Sequence, residues 1–425
     1  MSLTVREWGY IPVGDDAPLS RATADGLLDL ADRAAPALGL KRSDEEGEKI
    51  LLDGRRRLRA QQVVGVLATQ GAVLEVLPKV DRDDGATRSG LIHMLSVVQG
   101  LDLATLDLMG MDAQRHDLLE LLIALFAADL LRQLRRGIDQ NYATHEDDLR
   151  ALRGRLDVMR QFSIRAGQRD RLACRYDERS ADTPVNRLLR AAVLVLLRIA
   201  RTAASRQALT EALDLLGGAG ALPRGPVRLP VFDRQTRRFE PLCRRAKLFL
   251  DRHFQTTSSG RSEGIALLFR MNVLFEEWVA TLLRRHLGPL GWQVTTQASG
   301  QSALKRDGSP VFALRPDIVL RRGGETHVID TKWKRLDPPP EPKRGVAQSD
   351  VYQLLAYRAA WQADSVTLLY PTDHGSHRID RLHTAEGHPF TLLEIPLHDM
   401  RGAATALVGQ LLEALGQGSA VMSER

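Results

Sequence analysis

Residues 315–332 constrain this chain more than any other stretch. They read Arg315-Pro316-Asp317-Ile318-Val319-Leu320, then a turn, then Ile329-Asp330-Thr331-Lys332. The runs 318–320 and 326–329 are β-like, and Arg321-Arg322-Gly323-Gly324-Glu325 between them supplies a short hairpin connection. Strand alternation puts Asp330 and Lys332 on one face and Thr331 on the other. With the turn centred near Gly323, Asp317 falls opposite Ile329 and Asp330. Two carboxylates and one ammonium then converge at one end of the hairpin.

Two carboxylates a few ångströms apart repel, and one keeps its proton unless a cation lies between them. A hard, oxygen-seeking ion such as Mg²⁺ resolves the conflict and still takes waters and phosphate oxygens as ligands, with Mn²⁺ as an alternative. A lysine beside the pair adds a charge that can hold an attacking water or a developing oxyanion. The set suits phosphodiester hydrolysis. Asp-x-Lys alone says little, because charges align on many solvated hairpins. Two further features lift it above that reading. Pro316-Asp317 lies at hairpin distance, and Gln353-Leu354-Leu355-Ala356-Tyr357 places Gln353 and Tyr357 on one face of a helix.

This constellation resembles the PD-(D/E)xK nuclease superfamily in its RecB-like variant, which carries a trailing Gln-x-x-x-Tyr. Asn272-Val273-Leu274-Phe275-Glu276-Glu277-Trp278-Val279 is similar to the helix that opens this domain in the McrC family, the nuclease subunits of McrBC methylcytosine restriction systems. Val5-Arg6-Glu7-Trp8-Gly9-Tyr10 resembles the start of that family. Val64-Gly65-Val66-Leu67 and Leu74-Glu75-Val76-Leu77-Pro78-Lys79-Val80 resemble its N-terminal strands. Leu152-Arg153-Gly154-Arg155-Leu156, Tyr176-Asp177-Glu178 and Thr183-Pro184-Val185-Asn186-Arg187 resemble its middle region. The resemblance touches most of the chain.

It implies Mg²⁺ held by Asp317, Asp330 and the Thr331 carbonyl, with Lys332 positioning or deprotonating the water. Gln353 and Tyr357 would orient the site or hold a phosphate. Glu276, beside the apolar stripe of its helix, would be a supporting carboxylate or merely an exposed one. It also implies a DNA substrate, modified, and a McrB-like AAA+ GTPase hexamer that this subunit stimulates. Two other readings stay open: a stand-alone RecB-like nuclease for repair or recombination, and a non-catalytic assembly and GTPase-activating subunit that keeps a nuclease shape.

The resulting fold class is α+β multidomain. A β-rich N-terminal domain (1–88) would dock the partner, a mainly helical middle domain (89–260) would follow, and a C-terminal α/β PD-(D/E)xK restriction-endonuclease-like domain would span 261–425. With 425 residues, each part is large enough for its own core. The net charge of +6 and the excess of arginine over lysine lean toward a polyanionic partner. A GC-rich genome produces the same bias, so charge supports nucleic acid only weakly. Two cysteines, Cys174 and Cys243, provide no zinc site, disulfide framework or four-cysteine iron–sulfur cluster. The start lacks an apolar signal core, and the apolar run 118–131 is broken by Glu120 and Asp129. A cytoplasmic, membrane-free protein is expected.

Strands are expected at 3–8, 58–69 and 72–80, with a charged turn at Asp53-Gly54-Arg55-Arg56-Arg57 and a polar break at 81–85. Helical spacing covers 91–98, 118–134, 185–201 and 207–216. Thr183-Pro184 reads as a helix start. Arg150, Arg153, Arg155, Arg160, Arg165, Arg169, Arg171 and Arg175 form a DNA track, a partner surface or a solvated helical face. A loop at 217–230, a break at 258–260 and a helix at 264–287 come next. A strand at 291–296 and the hairpin lead to a proline loop at 336–344. A helix at 350–363, strands at 366–370 and 391–397 and a closing helix at 401–415 complete the pattern. No glycine-rich loop with lysine is present to cradle a nucleotide phosphate. The isolated chain is therefore expected to hydrolyse neither GTP nor ATP; steady-state phosphate release by contaminant-free protein would contradict this.

Overall fold

The computed structural model describes residues 2–40, 49–69, 71–79, 84–100, 116–163, 170–256, 262–307, 309–336, 343–372, 378–396, 407–411 and 413. The chain divides into two compact units. One comprises Met1–Leu103, Met111–Leu119 and Phe254–Arg425; the other comprises Ala104–Gly110 and Glu120–His253. The architecture is mixed α and β throughout.

In the first unit Ser2–Arg6 runs parallel to Val73–Leu77, which pairs antiparallel with Val64–Ala68. Val64–Ala68 in turn pairs antiparallel with Ser262–Phe269, from a distant part of the sequence. Residues 264–269 thus form a strand, where the sequence predicts the first turns of a helix; the helix itself is Met271–Leu287. Ile265 to Phe269 is a short, unbroken apolar run, which reads equally as a buried strand or a buried helix. The strand wins because its neighbour Val64–Ala68 is buried along its whole length and needs a partner on that edge. Glu75 interrupts the apolar sheet. Arg88, on the helix Asp84–Gln99, meets its carboxylate through two bonds of 2.8 and 2.6 Å, and the Leu118 amide donates at 3.0 Å. Such pairing is what makes a buried charge tolerable.

The second sheet of this unit holds the hairpin. Its order is Gln293–Thr296, Ile318–Arg322, Glu325–Thr331, Ser365–Thr372, Pro389–Pro396 and Arg378–His383. Ile318 faces Ile329 and Arg322 faces Glu325. Gly323 and Gly324 have φ of 56° and 94°, the left-handed pair that a two-residue turn between twisted strands needs. Glu325–Thr331 is parallel to Ser365–Thr372, and the helix Gln348–Trp361 lies between them in sequence. Leu354, Tyr357 and Trp361 of that helix join Val319, Val328, Val366 and Leu368 of the sheet in one core. The carboxyl end of a parallel strand, beside such a crossover, is where open α/β sheets leave a crevice. The hairpin Gln301–Arg306/Ser309–Leu314 and the edge strand Arg378–His383 are additions that the sequence pattern does not announce.

In the second unit Pro184–Ile199 packs against Glu240–Asp251, and Ala203–Leu215 follows in sequence. Thr183 caps the first of these helices by accepting from the Asn186 amide. The arginine-rich stretch is not a helical face. Asn141–Leu149, Leu172–Ser180 and the short Arg155–Leu156 form an antiparallel sheet, with one short helix at Val158–Ser163. Ion pairs accompany this arrangement: Arg175 meets its cross-strand neighbour Glu146 at 3.7 Å, while Arg153, before the short strand, meets Glu178 at 3.1 Å and Arg160, on the short helix, meets Asp148 at 3.0 Å. Arg165 and Arg169, the proline loop at 337–342, the break at 258–260 and most of the polar break at 81–85 and of the closing helix lie outside the described residues. Among the described residues no helix is long and apolar enough to cross a membrane.

Gly65, at φ 125°, lets Val64–Ala68 and Ser262–Phe269 approach; a Cβ there would sit 2.0 Å from the Leu267 carbonyl oxygen. Gly65→Ala should therefore destabilise the protein by about 2 kcal/mol or more. Thermal melting reads this directly; an unchanged melting temperature would mean that 262–269 does not pair with 64–68.

Candidate functional site

The hairpin register sets Asp317 one step beyond the Ile318–Ile329 pair, beside the end of the strand that carries Asp330. Both the Thr331 amide and the Thr331 hydroxyl donate to Asp317 Oδ2, each at 2.8 Å. Asp330 is 2% exposed. Lys332 Nζ lies 2.7 Å from Asp330 Oδ2 and donates to Gln353 Oε1 at 3.0 Å. Gln353 Nε2 meets the Tyr357 hydroxyl at 2.7 Å, and that hydroxyl donates to the Arg315 carbonyl at 3.0 Å. One chain of contacts thus runs from Asp330 through Lys332, Gln353 and Tyr357 to the backbone just before Asp317.

These side chains line one polar cavity of about 360 Å³ together with Glu276. The residues that the sequence proposes for the metal and catalytic site, Glu276, Asp317, Asp330, Thr331, Lys332, Gln353 and Tyr357, all line this cavity. The structure also adds several. Gln297, at φ 48°, donates through Nε2 to Glu276 Oε1 at 2.7 Å and toward Asp317 Oδ1 at 3.4 Å. Its own amide donates to the Asp317 carbonyl at 2.9 Å. A non-glycine residue in the left-handed region is a strained placement that clusters at functional sites. Asp350 takes Lys334 at 2.6 Å and stands 3.9 Å from Lys332. Asn272 and Gln62 complete the lining. Some of these carry a readable signal: Asp350 shares its helix face with Gln353 and Tyr357, and Asn272 lies one turn before Glu276. Gln297 and Gln62 carry none.

Burial, then the charge of Asp317, raises the Asp330 carboxyl to about 6, against a downward pull from Lys332. Burial likewise raises Glu276 to about 7, with the Asp317 charge adding to it. Lys332 is held above its ordinary value because the pull of Asp330 outweighs its burial. Each carboxyl is thus short of positive charge. Among the described residues no three histidine, cysteine or carboxylate groups gather tightly enough to cage a metal. Asp330 Oδ2 is buried, and the Lys332 ammonium 2.7 Å away does not meet it with good hydrogen-bond geometry. An open pair of oxygen donors of this kind fits an ion that keeps most of its waters and takes phosphate oxygens, which is the habit of Mg²⁺. It does not fit zinc, which is usually closed by nitrogen and sulfur ligands.

The chain is thus a mixed α+β protein with a carboxylate–lysine cavity at the end of a sheet. It belongs to the family of McrBC 5-methylcytosine restriction system components, whose pattern matches residues 58–371. Its fold is similar to a chain in a half-complex from the tetradecameric assembly of Thermococcus gammatolerans McrB AAA+ hexamers with bound McrC. That match has TM-score 0.74 and 20% identity, and covers 96% of this chain and 100% of the other. It is also similar to a chain in the cryo-EM structure of the Thermococcus gammatolerans McrBC complex, with TM-score 0.54 and 23% identity, covering 68% and 88%. No curated protein matches the chain.

The raised carboxyls make a pH prediction. Both bind protons more tightly folded than unfolded, so their stabilising contribution is present at acid pH. It is lost as pH rises through about 6 for Asp330 and about 7 for Glu276. Metal binding needs the deprotonated forms. The rise in melting temperature given by saturating Mg²⁺ should therefore be larger above pH 7 than below pH 6. Asp330→Asn should remove that difference. A Mg²⁺ effect that is independent of pH would contradict the assignment.

Proposed function

We propose that this chain is the Mg²⁺-dependent DNA endonuclease subunit of a McrBC-like, modification-dependent restriction system, with a PD-(D/E)xK nuclease domain. The convergence of Asp317, Asp330, Lys332 and Gln353 in one cavity carries this reading. Asp317 and Asp330, helped by the Thr331 carbonyl, would hold the ion; Mn²⁺ would serve in its place. When bound, it would polarise the phosphate and lower the pKa of a coordinated water. Lys332 presents a fixed positive charge to the incoming water or to the charge that develops on phosphorus oxygens. Gln353 and Tyr357 hold that ammonium in place by the relay to the Arg315 carbonyl. Glu276, near 7, is suited to taking or returning a proton at neutral pH.

Family membership supports this reading over a stand-alone RecB-like repair nuclease. The complete Asp317/Asp330/Lys332 set supports it over a non-catalytic assembly subunit. The partner in this reading is a McrB-like AAA+ GTPase that the chain would stimulate, hexameric like the McrB AAA+ hexamers of the Thermococcus gammatolerans assembly. The resemblance assigns docking to residues 1–88. A second surface is supported by exposure: Met159 is 79% and Phe162 71% exposed, on a short helix flanked by the arginine-bearing strands. Deleting 1–88 would strip Ser262–Phe269 of its partner strand, so point substitutions separate the two surfaces better than truncation.

Asp330→Asn keeps the shape of the buried side chain and should lower Mg²⁺-dependent cleavage of methylated DNA by on the order of a thousandfold, with Lys332→Ala similar. Both variants should still bind and stimulate the GTPase. Folded Asp330→Asn protein that cuts at the wild-type rate would sink the site. Paired Met159→Asp and Phe162→Asp changes that abolish GTPase stimulation, where Arg55→Glu and Arg56→Glu do not, would move docking from residues 1–88 to the middle unit.

A further inference from the structure

Lys332 is the first residue past the strand Glu325–Thr331, where the ladder no longer fixes the chain on both sides. One backbone bond, from the Lys332 amide to the Leu369 carbonyl at 2.9 Å, ties it to the neighbouring strand. The residue that follows is anchored differently. Trp333 is 6% exposed, its ring packs on Phe275 at 5.3 Å, and its Nε1 donates to Glu7 Oε2 at 3.0 Å. Glu7 comes from the opposite end of the sequence and is 3% exposed.

Glu7 is itself rigidly held. Its amide donates to the Leu77 carbonyl at 2.9 Å, and the Lys79 amide donates to its Oε2 at 3.3 Å. Arg335 then donates to the Lys79 carbonyl at 2.8 Å. The segment 333–335 is therefore fastened at two points to the adjoining ends of two parallel strands, Ser2–Arg6 and Val73–Leu77. Gln62, from the same N-terminal region, lines the site cavity. A carboxylate is a costly choice for such a place. Burial raises its proton affinity, and its Oε1 has no hydrogen-bond partner. An apolar side chain would fill the space more cheaply. What the carboxylate adds is a strong, directional acceptor for the indole N–H. Phe275, the other contact of Trp333, immediately precedes Glu276 on the helix Met271–Leu287, so the indole sits between two elements that carry site residues.

We infer that Glu7 is a positioning residue for Lys332, acting through the Trp333 indole, so that the N-terminal sheet is a working part of the cleavage site. This rests on the nuclease reading of that site. Substrate would meet Lys332, not Glu7; the role of Glu7 is to fix the backbone from which the ammonium projects.

The test uses the full chain carrying Glu7→Ala, Glu7→Gln or Trp333→Phe, with two readouts. The first is Mg²⁺-dependent cleavage of methylated plasmid DNA in the presence of the GTPase partner, resolved into kcat and KM. The second is the rate of amine acylation at Lys332, measured by mass spectrometry against the exposed Lys305. Glu7→Ala should lower kcat roughly tenfold to a hundredfold with little change in KM, the scale expected when a reacting group is misplaced. It should also raise the acylation of Lys332 relative to Lys305, because the ammonium is no longer held against Asp330. Glu7→Gln keeps an acceptor for the indole and should restore both values. Trp333→Phe keeps the ring but loses the N–H, so it should match Glu7→Ala and add nothing in the double variant. If Glu7→Ala does not fold, Trp333→Phe carries the same test. Unchanged acylation of Lys332 in folded Glu7→Ala or Trp333→Phe protein would overturn the inference, as would Glu7→Gln behaving like Glu7→Ala. Failure of the wild-type chain to cut DNA would remove the nuclease reading instead, while the acylation ratio would still decide whether Glu7 sets Lys332.

Discussion

The burial of Asp330 against Lys332 is the constraint on which the rest of this unit depends. A carboxylate almost wholly removed from water is strongly disfavoured unless positive charge reaches it. One ammonium at 2.7 Å answers part of that demand, and Asp317 nearby works against it. That answer is partial: the oxygen the ammonium approaches, Asp330 Oδ2, is buried and has no hydrogen bond of good geometry. A merely structural ion pair would be expected to close itself. This one borders a polar cavity, the arrangement that supports the proposal of a cation and a phosphate there.

Everything around that pair serves to hold it. The two-glycine turn fixes the register that sets Asp317 beside the strand end, and a one-residue slip would send Asp330 and Lys332 to the other face. The crossover helix brings Gln353 to the ammonium while its apolar face, Leu354 and Trp361, joins the sheet's core. Gln297 accepts a left-handed backbone to reach two carboxylates at once. The N-terminal strands fasten the residue after Lys332. Site and scaffold are therefore drawn from residues more than three hundred positions apart, such as Glu7 and Trp333.

The site was more legible than the fold. Asp317, Asp330 and Lys332 could be placed from strand alternation and one glycine turn, because those are local rules with a period of two. Gln353 and Tyr357 followed from helical spacing. Asp350 obeys the same spacing and was readable in principle, being one turn before Gln353. Gln297 was not, since nothing in Thr296-Gln297-Ala298 announces a positive φ. The run 264–269 reads as helix in the sequence because a short apolar stretch carries no period; its pairing with Val64–Ala68, nearly two hundred residues earlier, decides its state. The arginine-rich stretch does not show its strands in the sequence for a related reason. Its long strands are mostly exposed and show no strict alternation of buried and exposed residues, so the pattern of a half-buried strand is missing, and a cross-strand pair such as Glu146 with Arg175 leaves no apolar mark in the sequence.

The central claim is that Asp317 and Asp330 share a divalent cation. Anomalous diffraction from crystals of the full chain grown with Mn²⁺ tests it most directly. The account predicts a peak within bonding distance of both carboxylates, lost in Asp330→Asn crystals. Well-ordered Asp317 and Asp330 side chains with no peak beside them at saturating Mn²⁺, or a peak at a site that touches neither, would contradict it.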